Sequence, residues 1–286
     1  MYCHMLKKNI VQEVLNYIEN NIDVNINIDD ISRFTGYSRR HIQTIFKHHV
    51  RIPIGLYIRK RRVTRASIFL RLTNMNVIDI SAKFGYDSQQ SFCREFKKAA
   101  GLTPLQYRRS CCWDFSPLLA EFNFSHIDVG SFQICTLPEG YISGQMSHQE
   151  ITIPINENIL DVRWNSIVNH LNNLKQNIWA ISEYNAHKKH SMRIKISSII
   201  GVRNKEVNKK PGDHPYPSGI YARFSFRCNK EEYSKYSKHI YLNIFPKHRL
   251  KRRPAPDIEV FTYNGYARPD NALDCEYYIP VETVAE

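Results

Sequence analysis

Residues 85–98 read GYDSQQSFCREFKK, and residues 36–49 read GYSRRHIQTIFKHH. The likeness extends in both directions. Asp30-Ile31-Ser32 and Gly36-Tyr37 recur as Asp79-Ile80-Ser81 and Gly85-Tyr86, 49 residues further on. One extra residue, Asp87, moves the offset to 50, at which Ser38, Phe46, Lys47, Tyr57 and Arg59 recur as Ser88, Phe96, Lys97, Tyr107 and Arg109. Apolar and polar positions match alike, which marks a duplicated unit.

Each copy reads as helix, turn, helix. In the first, Asp29 or Asp30 is expected to cap a short helix with Ile31 and Phe34 on its inner side. Gly36 supplies the permissive backbone that ends it. Ser38 then caps a second helix whose Ile42, Ile45 and Phe46 share one face. The second copy repeats this with Ile80 and Phe84, Gly85 at the turn, Asp87 or Ser88 as cap, and Phe92 and Phe96 inward.

The outward positions decide what such a unit touches. Arg39, Arg40, Gln43 and Thr44 project from the first copy, and Gln89, Gln90, Ser91 and Arg94 from the second. Arg pairs with guanine and Gln with adenine at base edges in the major groove. A solvated helix face is the plain alternative, but the charge balance weighs against it. Residues 1–110 hold 19 Lys/Arg against 8 Asp/Glu, a net +11, whereas residues 111–286 hold 21 against 19. A basic module of this kind suits a polyanion, and double-stranded DNA fits the outward side chains. Contacts to the DNA backbone are expected from Ser38, Lys47, Arg59, Arg61, Arg62, Ser88, Lys97 and Lys98.

Between the copies runs PIGLYIRKRRVTRASIFLRLTN, residues 53–74. Pro53 suits a helix start, and a helix of about 18 residues spans about 27 Å. That length could hold two reading helices near successive major-groove faces, about 34 Å apart. Two units on one chain imply a monomer on an asymmetric site.

At this point residues 5–110 resemble the DNA-binding domain of the AraC/XylS family of bacterial transcription regulators, and its Rob-type subgroup in particular. GYSRRHIQTIFK, IGLYIRKRRVTRA and FGYDSQQSFCREFKKAAGLTPLQYRRS carry the resemblance. It implies a cytoplasmic, nucleoid-associated bacterial protein that contacts RNA polymerase when it activates. In the family the first reading helix often has Trp at the position of Arg40 and Arg at that of Thr44. Gln43, Gln89, Gln90 and Arg94 keep the family residues.

Past RRSCCWDFSPLLAEF, residues 108–122, the pattern changes to alternation. SGIYARFSFRC puts Ile220, Ala222, Phe224 and Phe226 on one strand face, and MRIKISSIIGV does likewise with Met192, Ile194, Ile196 and Ile200. Leu160, Trp164, Ile167, Leu171 and Leu174 form a helical stripe, and a shorter helix is expected over 230–241. PGDHPYP, residues 211–217, reads as an exposed connection. The expected fold is therefore two domains: an all-α double helix-turn-helix at 1–110, a linker at 111–122, and an α+β duplicated strand-helix-strand-strand domain at 123–286. The latter, with FQICTLPEGYISG and CEYYIPV, resembles the GyrI-like ligand-binding domain.

That resemblance implies an aromatic-lined cavity with a carboxylate that meets a cationic or amphipathic small-molecule inducer. Glu276 matches the carboxylate position and shares a strand face with Tyr278. An exposed or salt-bridged strand Glu is the competing reading. Trp164 and Tyr141 are candidate pocket walls, with plain core as their alternative. Some GyrI-like domains hydrolyse reactive molecules, which would make Glu276 a general base. The expected function remains a non-enzymatic activator of stress or multidrug-resistance genes. A constitutive DNA-binding protein whose second domain binds a protein partner is a further alternative.

No cofactor or metal is expected. Lysines separate His187 from His190, the seven cysteines never fall as C-x-x-C, and Cys111-Cys112 reads as a pair of ordinary reduced thiols. KHRLKRRPAP, residues 247–256, reads as a solvated basic loop that could extend a DNA or polymerase contact. The N-terminal apolar stretch carries Glu and Asn, unlike a signal peptide, and no apolar run reaches the roughly 20 residues of a membrane span.

Overall fold

A computed structural model describes residues 2–122, 124, 132–153, 158–204, 211–265 and 272–282. They fall into two compact units. The first comprises Met1–Arg71, Met75–Arg109 and Pro117–His126, and the second Leu72–Asn74, Ser110–Ser116 and Ile127–Glu286.

The first unit is helical: α1 (Tyr2–Asn20), α2 (Ile28–Thr35), α3 (Arg39–Val50), α4 (Ile54–Leu72), α5 (Val77–Lys83), α6 (Gln89–Ala100) and α7 (Pro104–Arg109). The duplicated sequence gives duplicated geometry. Ser38 accepts from His41 N at 3.4 Å and Ser88 from Ser91 N at 3.1 Å, so each caps its second helix. Gly36 and Gly85 both take φ near +70°, where any other residue would be strained. A Cβ on Gly85 would also lie 2.9 Å from Asn25 Cβ.

Two local expectations need correction. Asn27, not Asp29 or Asp30, caps α2. Its side chain accepts from Asp29 N and Asp30 N, and Asp30 reaches back to Asn27 N at 2.9 Å. The backbone at Asn27 is extended, which leaves Asp30 three residues inside as the acidic half of a capping box. Phe34 is 52% exposed, with its ring stacked on Tyr17 at 4.3 Å. Of the two expected inward residues only Ile31 is buried, fully so.

In the second unit the chain forms β1 (Trp113–Asp114), β2 (Phe132–Leu137), β3 (Gly140–Thr152), α8 (Asn158–Leu174), β4 (Ile178–Ala186), β5 (Arg193–Asn204), β6 (Asp213–Tyr216), β7 (Gly219–Cys228), α9 (Lys230–His239), β8 (Lys251–Arg252), β9 (Asp257–Phe261) and β10 (Leu273–Pro280). Eight strands make one antiparallel sheet in the order β2-β7-β10-β9-β4-β5-β3-β6. The expected duplication is plain in that order. The half β3-α8-β4-β5 pairs as β3-β5-β4, the half β7-α9-β9-β10 pairs as β7-β10-β9, and β4 meets β9 at the seam. PGDHPYP is not an exposed connection: Asp213–Tyr216 adds to the β3 edge, and Tyr216 is 1% exposed.

The two faces of this sheet differ. One carries α8 and α9, and there the apolar alternation of β7 packs inward, with Phe226 stacked on Tyr236 of α9 at 4.5 Å. Glu259 accepts there from Tyr233 and Arg163 together, and Asp257 from Tyr241, Tyr277 and Arg252. No described helix is long and apolar enough to cross a membrane.

The first unit has a charged centre. Arg61 of α4 is fully buried; its Nε and second guanidinium nitrogen donate to Glu19 of α1 at 2.6 and 2.8 Å. Its remaining nitrogen donates to Leu119 O at 2.7 Å, and Tyr57 OH donates to Glu19 at 3.0 Å. Arg61 therefore serves the core, not a phosphate. Arg62 is likewise buried, donating to Val24 O and Ile26 O. The helical period explains both: residues 57, 58 and 61 share the α4 face that packs on α1, and 62 lies at its edge.

Burial works to raise the Glu19 carboxyl, but the charge and hydrogen bonds of Arg61, with Arg65 and Tyr57, overcome it and hold the group below its ordinary value. A carboxylate so lowered adds stability above its unfolded-state titration and loses it as pH falls through the lower folded value. Glu19→Gln leaves the Arg61 charge buried and uncompensated, so urea unfolding at neutral pH should show a loss of about 3–5 kcal/mol. A loss under about 1 kcal/mol would contradict this account. The difference between wild type and variant should shrink as the titration is repeated below the ordinary carboxylate range.

Candidate nucleic-acid interface and ligand-facing sheet

The second helix of each repeat presents its polar side outward because its apolar side is wholly consumed. Ile42, Ile45 and Phe46 are buried on α3, and Phe92 and Phe96 on α6. Arg39, Arg40, Gln43 and Thr44 are exposed on α3, as are Gln89, Gln90 and Arg94 on α6. Ser91 is half-buried beside its cap. Two of these groups have local partners. Arg39 pairs with Asp29 of α2, and Thr44 Oγ1 donates to Arg40 O at 2.8 Å, leaving its lone pairs outward.

Lys47, Arg59, Lys97 and Lys98 are exposed, and Ser38 and Ser88 sit exposed at the two helix starts. At the C-terminal end of α3, Gln43, Thr44, Lys47, His48 and Arg51 line a shallow cleft. Arg51 enters it from a left-handed backbone at φ 69°. Sequence reading passed over His48 and Arg51, although both continue the outward stripe of α3. The open amides at the starts of α3 and α6 add a favourable field for a phosphate.

The helix-free face of the second unit's sheet is aromatic and carries arginines. Leu137, Ile142, Ile181, Tyr216, Tyr221, Ile258, Val260 and Tyr278 cluster there, with Trp179 against them. The register places Glu276 opposite Val260, and Val260 opposite Trp179, on that same face. Tyr278 OH donates to Glu276 at 2.7 Å, and Arg223 lies 3.6 Å from its other oxygen. Burial and the hydrogen bond to Glu276 push the Tyr278 phenol up to about 12. Arg203 lies over Trp179 at 5.1 Å and Arg253 over Tyr221 at 4.8 Å.

Glu276 and Tyr278 are thus brought together, but Trp164 and Tyr141 are not beside them. Trp164, on α8, packs on Tyr233 and Phe261 at the helix-covered face and is 4% exposed. Tyr141 alternates with Ile142, which belongs to the aromatic face, so its side chain leaves from the opposite one. Trp179, Tyr216 and Tyr221 take the wall positions instead. Their signal was weak, because Trp179 and Tyr221 lie one residue out of step with an apolar alternation that points to the helices, and Tyr216 ends a short strand, DHPY, that has none.

Comparison with known proteins agrees with this division. Residues 31–110 match a helix-turn-helix domain family, and residues 132–282 match the family of GyrI-like small molecule binding domains. The chain is 36% identical over 280 residues to the F1 operon positive regulatory protein of Yersinia pestis, covering 97% of this chain and 89% of that one. It is 26% identical over 287 residues to the transcriptional regulator Rob of Salmonella typhimurium, covering 95% and 98%. With the HTH-type transcriptional activator AarP of Providencia stuartii it shares 42% identity over 104 residues, 36% of this chain and 77% of that one. The chain therefore belongs to the AraC/XylS family of transcriptional regulators, with an AraC-type helix-turn-helix domain followed by a GyrI-like domain.

Proposed function

We propose that the protein is a transcription activator that reads an asymmetric DNA site as a monomer through α3 and α6. The observation that carries this reading is the presence, within one compact unit, of two Ser-capped helices whose exposed faces hold Arg40 and Gln43 on one and Gln89, Gln90 and Arg94 on the other. The basic surplus of residues 1–110 draws the protein to DNA, and Lys47, Arg59, Lys97 and Lys98 grip phosphate. Two of the relatives carry activation in their names, a positive regulatory protein and a transcriptional activator. RNA polymerase is the corresponding protein partner, and genes of stress or drug resistance are the targets in this reading.

The GyrI-like domain senses a small amphipathic ligand on its aromatic face. A cationic group on that ligand meets Glu276 by displacing Arg223, while apolar parts lie against Trp179, Tyr216 and Tyr221. In this reading Glu276 binds charge and does no catalysis, and its oxygens are engaged by Tyr278 and Arg223.

Both parts are testable on the full chain. With a DNA site selected from a random pool, Arg40→Ala and Arg94→Ala should each lower specific affinity by about 1–3 kcal/mol and relax preference at one half-site. Equal losses on selected and scrambled DNA would assign these side chains to phosphate. Lys47→Ala should reduce the salt slope by about one and leave sequence preference alone. Mass measurement of the complex should give one chain per non-palindromic site; two chains per site would overturn the monomer reading. For the second domain, tetraphenylphosphonium should quench Trp179 fluorescence, and Glu276→Gln should weaken that binding at least about tenfold, ~1.4 kcal/mol. Equal binding by wild type and Glu276→Gln would remove Glu276 from the site.

A further inference from the structure

Three ligating groups outside both faces converge at one point of the second unit. Cys111 Sγ and Cys112 Sγ lie 3.6 Å apart, and Cys112 Sγ donates to Glu282 Oε1 at 2.5 Å. All three ligand atoms lie within 4.8 Å of one another. Among the described residues they are the one group of three such side chains so placed. Adjacent cysteines on an extended backbone would point to opposite sides, so their convergence here is a property of the bend at 111–112.

The scaffold holding them is independent of the thiols. Directly after Cys112, β1 pairs with β8 through Trp113–Arg252 and Asp114–Lys251. On the other side of β8, Glu282 N donates to Lys251 O at 2.9 Å, and Val281 bridges Arg252. Cys112 and Glu282 are therefore fixed to the same two residues from opposite directions. Trp113 is 8% exposed and stacks on Phe115 at 4.6 Å, which anchors the segment in the core. Cys112 is buried, and Cys111 is exposed, so the cluster has a solid floor and an open side.

We propose that Cys111, Cys112 and Glu282 form a binding site for one thiophilic divalent cation of the zinc class, with water completing its coordination on the Cys111 side. Tetrahedral bonding at a Zn–S length near 2.3 Å separates two sulfurs by about 3.8 Å, close to the spacing already present. The same geometry separates sulfur from a carboxylate oxygen by about 3.6 Å. Glu282 must then draw back by about 1 Å as its hydrogen bond to Cys112 is exchanged for a metal bond. Two thiols release two protons, the cation takes both thiolates and the carboxylate, and the site ends with one net negative charge. Neither the base-reading helices nor the Glu276 face contributes a ligand, so the site stands whether or not those readings hold.

Cobalt is the direct probe, because it fills zinc-type sites and reports its ligands by colour. Reduced full-length protein titrated with Co(II) under nitrogen should develop thiolate-to-cobalt absorption in the near ultraviolet and the visible bands of a tetrahedral ion. Both should saturate at one equivalent and vanish on adding Zn(II). Cys112→Ser and Cys111→Ser should abolish the thiolate band of a two-sulfur site, Glu282→Gln should weaken binding about tenfold or more, and Cys93→Ser should change nothing. Cys111 is exposed, so Cys111→Ser keeps the test valid even if Cys112→Ser fails to fold. A titration without thiolate bands overturns the proposal. So does a spectrum that survives Cys111→Ser, or one that Glu282→Gln leaves unaltered in both shape and affinity.

Discussion

The buried contact between Arg61 and Glu19 is the constraint on which the helical unit depends. It ties α4 to α1, which lies outside the repeat, and through Leu119 O it also holds the segment after α7. A fully desolvated guanidinium is tolerable only when each nitrogen has an acceptor. Here the Glu19 carboxylate takes two of them and the Leu119 carbonyl the third, while Tyr57 OH donates to the same carboxylate. Glu121 approaches the same guanidinium at 3.7 Å. The cluster lies against the apolar core that α1 and the start of α4 share with the first copy, including Ile31, Ile42 and Phe46. Few alternative packings of α1 on α4 would satisfy that charge, so the pair selects one arrangement.

The second unit separates its polar chemistry by face. Under the helices, Glu259 is met by Arg163 and Tyr233, and Asp257 by Arg252, Tyr241 and Tyr277, so both carboxylates sit in closed networks. On the opposite face the charged groups stand over rings rather than in closed networks. Arg203 covers Trp179, Arg253 covers Tyr221, and Arg223 competes with solvent for Glu276. Such groups exchange partners at lower cost than buried pairs, which is the property a binding surface needs.

Local signals in the sequence were strong where the physics is local. The Gly-Tyr-Ser motif, the two Ser caps, the inward Phe of each second helix and the apolar alternation of β7 all depend on residues a few places apart, and all are where the pattern puts them. What failed to show depends on partners far along the chain. The run Arg59-Lys60-Arg61-Arg62 reads as one basic surface, but Glu19 lies 42 residues from Arg61 and only the folded helix pair decides which arginines turn inward. Trp164 and Glu276 sit on opposite faces because strand pairing sets which side α8 covers, and periodicity within α8 carries no information about that. Asn27 was overlooked as a cap because two aspartates follow it, and backbone conformation chooses among the three.

The seam between β4 and β9 carries one more implication. Residues Ile178–Ser182 pair there with Asp257–Phe261, and beside this ladder α8 meets the other half through Arg163 and Trp164. Cut apart, each half would present a bare ladder of amides and carbonyls along a strand with apolar residues on its surface, an edge that invites another strand. Two copies of such a half would satisfy each other by pairing edge to edge about a two-fold axis. The present domain is in effect that dimer written into one chain, so its seam forms independently of concentration, and its two sides are free to differ in sequence as a symmetric pair could not.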